Sequence, residues 1–119
     1  MRKSILAAIL ILTFASLAGA QTVKNPTTAV VGISPDHISI TRYELGFFIP
    51  GASDPVQVSD IGTGTAVAGE LSKPLPSYPI GITYIARVRA FVNTIASDWS
   101  TDSNPFYRTP APPSAVVIR

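Results

Sequence analysis

The side chains able to attack a substrate, ligate a metal or move a proton are few in this chain. His37 is the single histidine and cysteine is absent, so neither a histidine cluster nor a thiolate set can hold zinc. Serine hydrolysis needs a histidine that is oriented by an acid and set beside a nucleophile. Asp36 precedes His37, but no Gly-x-Ser-x-Gly elbow is present to supply the serine. Ser34-Pro35-Asp36-His37 reads instead as a turn, built from residues that favour one. Gly64 and Gly69 have phosphate-loop spacing, yet Glu70-Leu71 follows where a lysine and a hydroxyl residue are required. Asp54, Asp60, Asp98 and Asp102 are too dispersed for a calcium loop. The sequence lacks Arg-Gly-Asp, and Asn25-Pro26-Thr27 is barred from N-glycosylation by its proline. These residues predict a protein that is not an enzyme, with no catalytic residue, metal or cofactor; an enzyme with a cryptic site is a minor alternative.

The elements that would position any site come after an export signal. Arg2-Lys3 is a short basic start, Ile5 to Leu17 is a mostly apolar run, and Ala18-Gly19-Ala20 closes it with small residues. That order is the layout of a secretory signal, with cleavage expected before Gln21 and a secreted or periplasmic destination. The apolar core is shorter than the ~20 residues of a membrane helix, so no membrane span is expected after cleavage. Residues 21–119 contain seven positive and seven negative side chains. A neutral domain offers no electrostatic footprint for nucleic acid.

The eleven prolines leave few windows for a helix. Alternation is easier to find. Ala29, Val31 and Ile33 share one face, and so do Tyr43, Leu45 and Phe47, with Arg42, Glu44 and Gly46 between them. Val56 and Val58 mark a short strand ended by Gly62-Thr63-Gly64, and Val67 and Leu71 mark another. Tyr84, Ala86, Val88 and Ala90 form the clearest strand, which sets Arg87 and Arg89 on the opposite face. Phe106 fits a last strand. Short strands with turn signals every ~8–12 residues predict an all-β sandwich.

Two stretches carry a family resemblance. Tyr84-Ile85-Ala86-Arg87-Val88-Arg89-Ala90 followed by Ser97-Asp98-Trp99-Ser100 resembles the last third of a fibronectin type III domain. Ser34-Pro35-Asp36 with Ile40-Thr41-Arg42-Tyr43-Glu44-Leu45 resembles that family's entry into its third strand. The likeness covers about residues 28 to 108 and implies a seven-stranded, or slightly reduced, antiparallel immunoglobulin-like sandwich. It makes Tyr84 a corner tyrosine, with its ring in the core and its hydroxyl bonded to upstream backbone. Tyr78 stands where the family usually has leucine, and Ile33 or Val31 where it buries a tryptophan. Gln21 to Thr27 leaves little length for a first strand. Ala96-Ser97-Asp98-Trp99-Ser100 is also similar to the Trp-Ser-x-Trp-Ser box of cytokine receptors, with alanine for the first tryptophan. That likeness implies that Trp99 packs beside Arg87 or Arg89.

The resulting organisation is a signal over 1–20, a sandwich over 21–109, and a Pro-rich linker with a strand-like tail over 110–119. The expected function is that of an exported recognition, adhesion or spacer module whose partner is another protein or a cell-surface component. The alternative is a surface-assembly subunit that associates by β-strand exchange; the module is expected as a monomer or a weak strand-exchange oligomer. Candidate contact residues on the loops are Asp36, His37, Asn93, Ile95 and Asp98. Tyr84, Val88, Trp99, Arg87 and Arg89 are expected to be structural. After Pro110-Ala111-Pro112-Pro113, Ala115 to Ile118 is expected to pair with an exposed sheet edge, its own domain's or a neighbour's. N-terminal sequencing of exported material should begin at Gln21; a retained Met1 in the soluble cytoplasmic fraction rules out the signal.

Overall fold

The computed structural model describes residues 21–119, so the predicted signal over 1–20 lies outside the described residues. Eight strands follow one another: β1 Val23–Lys24, β2 Thr28–Gly32, β3 Arg42–Phe48, β4 Gln57–Gly62, β5 Glu70–Pro74, β6 Ile85–Val92, β7 Ile95–Ala96 and β8 Phe106–Tyr107. A single 3-10 turn, His37–Ser39, interrupts them. The protein is all-β, as the alternation predicts.

The two most regular period-two segments, β3 and β6, pair antiparallel from Arg42↔Phe91 to Phe48↔Ile85. They form the centre of a four-stranded sheet ordered β4-β3-β6-β7. β2 and β5 make a separate antiparallel pair, and β1 joins β8 in parallel. Three small sheets therefore stand where two sheets of a seven-stranded sandwich were expected. The cause is local: β1, β7 and β8 are two residues each, too short to carry a sheet across, and Pro26 separates β1 from β2.

The inner faces of the β2–β5 pair and the four-stranded sheet pack together. Val31 and Leu71 meet Tyr43 and Ala90 in one buried cluster. In the other, Leu45, Phe47, Tyr78, Tyr84 and Phe106 pack together. Phe47, Tyr78 and Phe106 meet edge to face at 5.2 to 5.7 Å between centroids, the arrangement aromatic quadrupoles favour. Val88 is partly buried and packs against both clusters.

Three expectations are corrected. Tyr84 is buried in the core, but among the described residues its hydroxyl bonds no upstream backbone. Tyr78 fills that role, its hydroxyl donating to the Pro26 carbonyl at 3.0 Å; burial raises the Tyr78 phenol pKa, and the Arg108 charge opposes that rise. Val56 precedes β4, and both it and Val58 are exposed, because the inward position of β4 falls to Ile61. Val67 lies in the turn before β5, where Ala68 and Gly69 take φ of +54° and +79°, the two positive values of a type I′ hairpin.

The edge of β2 is open. The Ile33 N–H donates to the Gly69 carbonyl and the Leu75 N–H to Thr27. Ala29 and Val31, in register with Lys73 and Leu71, therefore point their backbone groups at β5. The N–H and C=O groups of Thr28, Val30 and Gly32 point the other way, and among the described residues no strand pairs with that edge.

Val88→Ala removes apolar volume shared by both clusters and should lower stability by about 1–3 kcal/mol. Chemical denaturation checks it; an unchanged midpoint would mean that Val88 does not link the clusters.

Candidate functional site

The β2–β3, β4–β5 and β6–β7 connections meet at one end of the fold, and His37 ties the first two together. The Ser34 N–H donates to the Tyr43 hydroxyl at 3.1 Å, and that oxygen lies 2.8 Å from His37 Nδ1. His37 Nε2 lies 2.9 Å from the Gly64 carbonyl. A carbonyl only accepts, which assigns the ring proton to Nε2 and makes Nδ1 the acceptor of the Tyr43 O–H. One unbroken chain of hydrogen bonds thus runs from the β2–β3 loop through a core tyrosine to the β4–β5 loop. Burial pushes the Tyr43 phenol pKa up, with the Ser34 N–H acting against it.

The third loop is joined through Thr41. Its hydroxyl donates to the Phe91 carbonyl at 3.1 Å and accepts the Asn93 N–H at 2.9 Å. Asn93 adopts φ +57° at the β6–β7 turn, a conformation asparagine tolerates. Of the predicted contact residues, Asp36, His37, Asn93 and Ile95 come together at this end. Asp36 is exposed ahead of the 3-10 turn, while His37 is half-buried with both ring nitrogens engaged. Asp98 is exposed and lies further along the segment after β7. Composition gave no reason to single out two other tips. Ile38 is 97% exposed and Val67 76%, matching the 76% of Ile95.

A second constellation covers the outer face of the four-stranded sheet. Arg42, Arg89 and Arg87 alternate there with Phe91, Trp99 and Phe48. The Arg42 guanidinium lies 3.7 Å from the Phe91 ring centroid, Arg89 4.3 Å from Trp99, and Arg87 4.4 Å from Phe48. Trp99 meets Phe48 edge to face at 5.3 Å. Glu44 accepts from Arg42 at 2.9 Å and from Arg89 at 2.7 Å, and Arg87 pairs with Asp102 at 2.7 Å. Arginine side chains and the indole pack on Phe48 and Phe91, which with Ile85 are buried although they lie outside the inner core. Gly46 makes room for the indole: a Cβ there would stand 2.9 Å from Trp99 Cη2.

What holds Trp99 in place is a serine repeat that the sequence reading did not use. The N–H groups of Ser97, Ser100 and Ser103 donate to the carbonyls of Ala90, Val88 and Ala86. Their Oγ atoms accept the N–H groups of the same three residues at 2.9, 3.0 and 2.8 Å. Each hydroxyl proton then goes to the next residue's carbonyl, on Asp98, Thr101 and Asn104. One serine therefore serves both backbone groups of one β6 residue. Three residues of the segment match two of β6, so the segment is coiled rather than extended. The signal was present as Ser-x-x-Ser-x-x-Ser, a period that matches neither strand nor helix.

Among the described residues no group of three histidine, cysteine or acidic side chains could hold a metal, and no helix is long and apolar enough to cross a membrane. No protein-family model, curated protein or solved structure matches the chain. Chemically the arrangement offers a rigid, apolar-tipped end and a charged, aromatic face.

Ser100→Ala should speed exchange of the Val88 amide and destabilise by about 1–2 kcal/mol, since that donor loses its acceptor. Amide exchange by NMR reads it, and full protection of Val88 in the variant contradicts the ladder. Glu44 supplies a pH dependence. Burial alone would raise its pKa, but hydrogen bonds from Arg42 and Arg89, with their charges, outweigh that and hold it below the usual value. Its contribution, on the order of 1 kcal/mol, is present above the unfolded value of about 4.3. It is lost as pH falls through the lower folded value. Glu44→Gln should therefore melt earlier than the parent at pH 7, with the gap closing in acid.

Proposed function

We propose that this chain is an exported, non-catalytic module of the fibronectin type III kind that recognises another protein or a cell-surface component through its loop end. The strand pairing supports the kinship. With β2 and β5 as strands B and E, and β3 and β6 as C and F, the two layers follow the plan of immunoglobulin-like sandwiches. The signal-like start over 1–20 supports export, and the neutral domain speaks for a protein partner over nucleic acid.

One observation carries the recognition reading. Ile38 and Val67 on two loops and Ile95 at the start of β7 present exposed aliphatic side chains at the same end. Those segments are fixed to one another through His37 and Thr41. Singly scattered apolar residues are ordinary on a surface; three on a rigid scaffold form a contact surface that is ordered before it binds, which lowers the entropy lost on association. A spacer role uses the same fold without this surface.

Fluorescently labelled protein should bind intact cells or extracellular material of the producing organism. The combined variant Ile38→Asp, Val67→Asp, Ile95→Asp should lose that binding at an unchanged melting temperature. Equal binding by the variant removes the loop end from consideration.

A further inference from the structure

We infer that the open flank of the sandwich receives the segment Ala115–Ile118 of a second copy of this chain as an added β-strand. A groove of about 1130 Å³ runs beside β2. It exceeds the ~300–1,000 Å³ of pockets shaped for small ligands. Its floor is the inner core itself, with Val31, Leu45, Leu75, Val88 and Phe106 among its lining. One wall is the β2 edge, where Thr28, Val30 and Gly32 point their backbone groups away from β5. An apolar floor with a row of free N–H and C=O groups along one wall matches an extended peptide, which brings alternating apolar side chains and backbone partners together.

The groove exists because the first strand goes elsewhere. Val23–Lys24 pairs in parallel with Phe106–Tyr107 instead of lying along β2. The Asn25 side chain then fixes this choice, donating to Thr109 Oγ1 and accepting the Thr109 N–H at 2.8 Å.

The same chain carries a matching apolar segment that is exposed among the described residues. Val116, Val117 and Ile118 are 81%, 68% and 88% exposed. Their β-branched side chains favour the strand state, and alternation puts Val116 and Ile118 on one face. The segment ends in Arg119, while the groove has Asp102 in its lining, with one carboxylate oxygen on Arg87. Pro110, Pro112 and Pro113 lie between the segment and the clamp at Thr109, and residues 108–119 contain no glycine. A stiff, extended spacer carries the strand away from its own sandwich. Turning back into its own groove would demand a reversal that this linker opposes, so the acceptor is another copy. The groove reaches the loop end, with His37 and Ile38 in its lining; the donor substitutions change neither of them, so the test below separates this inference from the recognition reading.

The test separates donor from acceptor, using protein recovered after expression of the full chain. Val116→Asp with Ile118→Asp spoils the donor in an exposed tail, where the fold is not at risk. Val30→Pro removes one free N–H from the acceptor edge without touching the β5 ladder, a position where proline is tolerated. Sedimentation velocity should show concentration-dependent species heavier than one chain for the parent and monomer for each variant alone. Mixing the two variants should restore a one-to-one dimer and nothing larger, since each supplies what the other lacks. Should Val30→Pro fail to fold, the donor variant mixed with the parent should still cap the parent's assemblies and shorten them. A parent that stays monomeric, assemblies that persist in the donor variant, or a mixture that stays monomeric with both variants folded overturns the inference.

Discussion

The exposed edge of β6 sets the central constraint. Ala86, Val88 and Ala90 each present one N–H and one C=O on the side away from β3, and β7 is only long enough to satisfy the top of the strand. Left open, such an edge recruits other chains, and its buried neighbours lose their shielding from water. Ser97, Ser100 and Ser103 close it with side chain and backbone together. Because the spacing is three against two, the residues between the serines are thrown outward in a fixed rotation. Trp99 is thereby delivered over Gly46, between Arg89 and Phe48. The outer face follows from that placement, since the indole and the Arg87 side chain pack on Phe48.

What the sequence disclosed and what it hid divide along the same line. Tyr43, Leu45 and Phe47, or Tyr84 to Ala90, show a period of two because one face is buried and its neighbours are not. Phe48, Ile85 and Phe91 break that logic: they are apolar on the outer face yet buried, Phe48 against Trp99 and Phe91 beneath Arg42 and Arg89. The serine repeat stayed hidden because serine, threonine, aspartate and asparagine together read as a loop, and composition does not say that a loop is hydrogen-bonded along its length. Val58 misled in the other direction, as an alternating valine on the exposed side of an edge strand. His37 was placed in a turn from its neighbours, but its partners Tyr43 and Gly64 are set by the tertiary fold. The candidate loops were legible from turn residues; that Ile38 and Val67 join Ile95 at one end was not, because it depends on which strands pair.

The molecule thus treats the edges of β6 and β2 differently. On β6 an irregular segment makes every bond a strand would make, and no second chain is needed. On β2 the potential partner β1 is diverted to β8 by a proline and an asparagine clamp, and the edge stays unpaired. The end that carries Ile38, Val67 and Ile95 is rigid because loops bond to one another, while the flank beside β2 is open because a strand is missing. With the β6 edge closed and the β2 edge open, a contact made between the open flank and another copy's tail is heterologous rather than self-complementary.

The parallel pairing of β1 with β8 has a mechanical consequence. Force applied across the domain from the side of Gln21 to the side of Arg119 draws Val23–Lys24 and Phe106–Tyr107 past each other along their own length. The Val23 and Asn25 N–H bonds to Pro105 and Tyr107 are then loaded together in shear rather than opened one after another. The two bonds between Asn25 and Thr109 share that load at the point where the tail leaves. A pairing of only two residues is thus the one placed to bear tension, and Phe106 at its end belongs to the aromatic core.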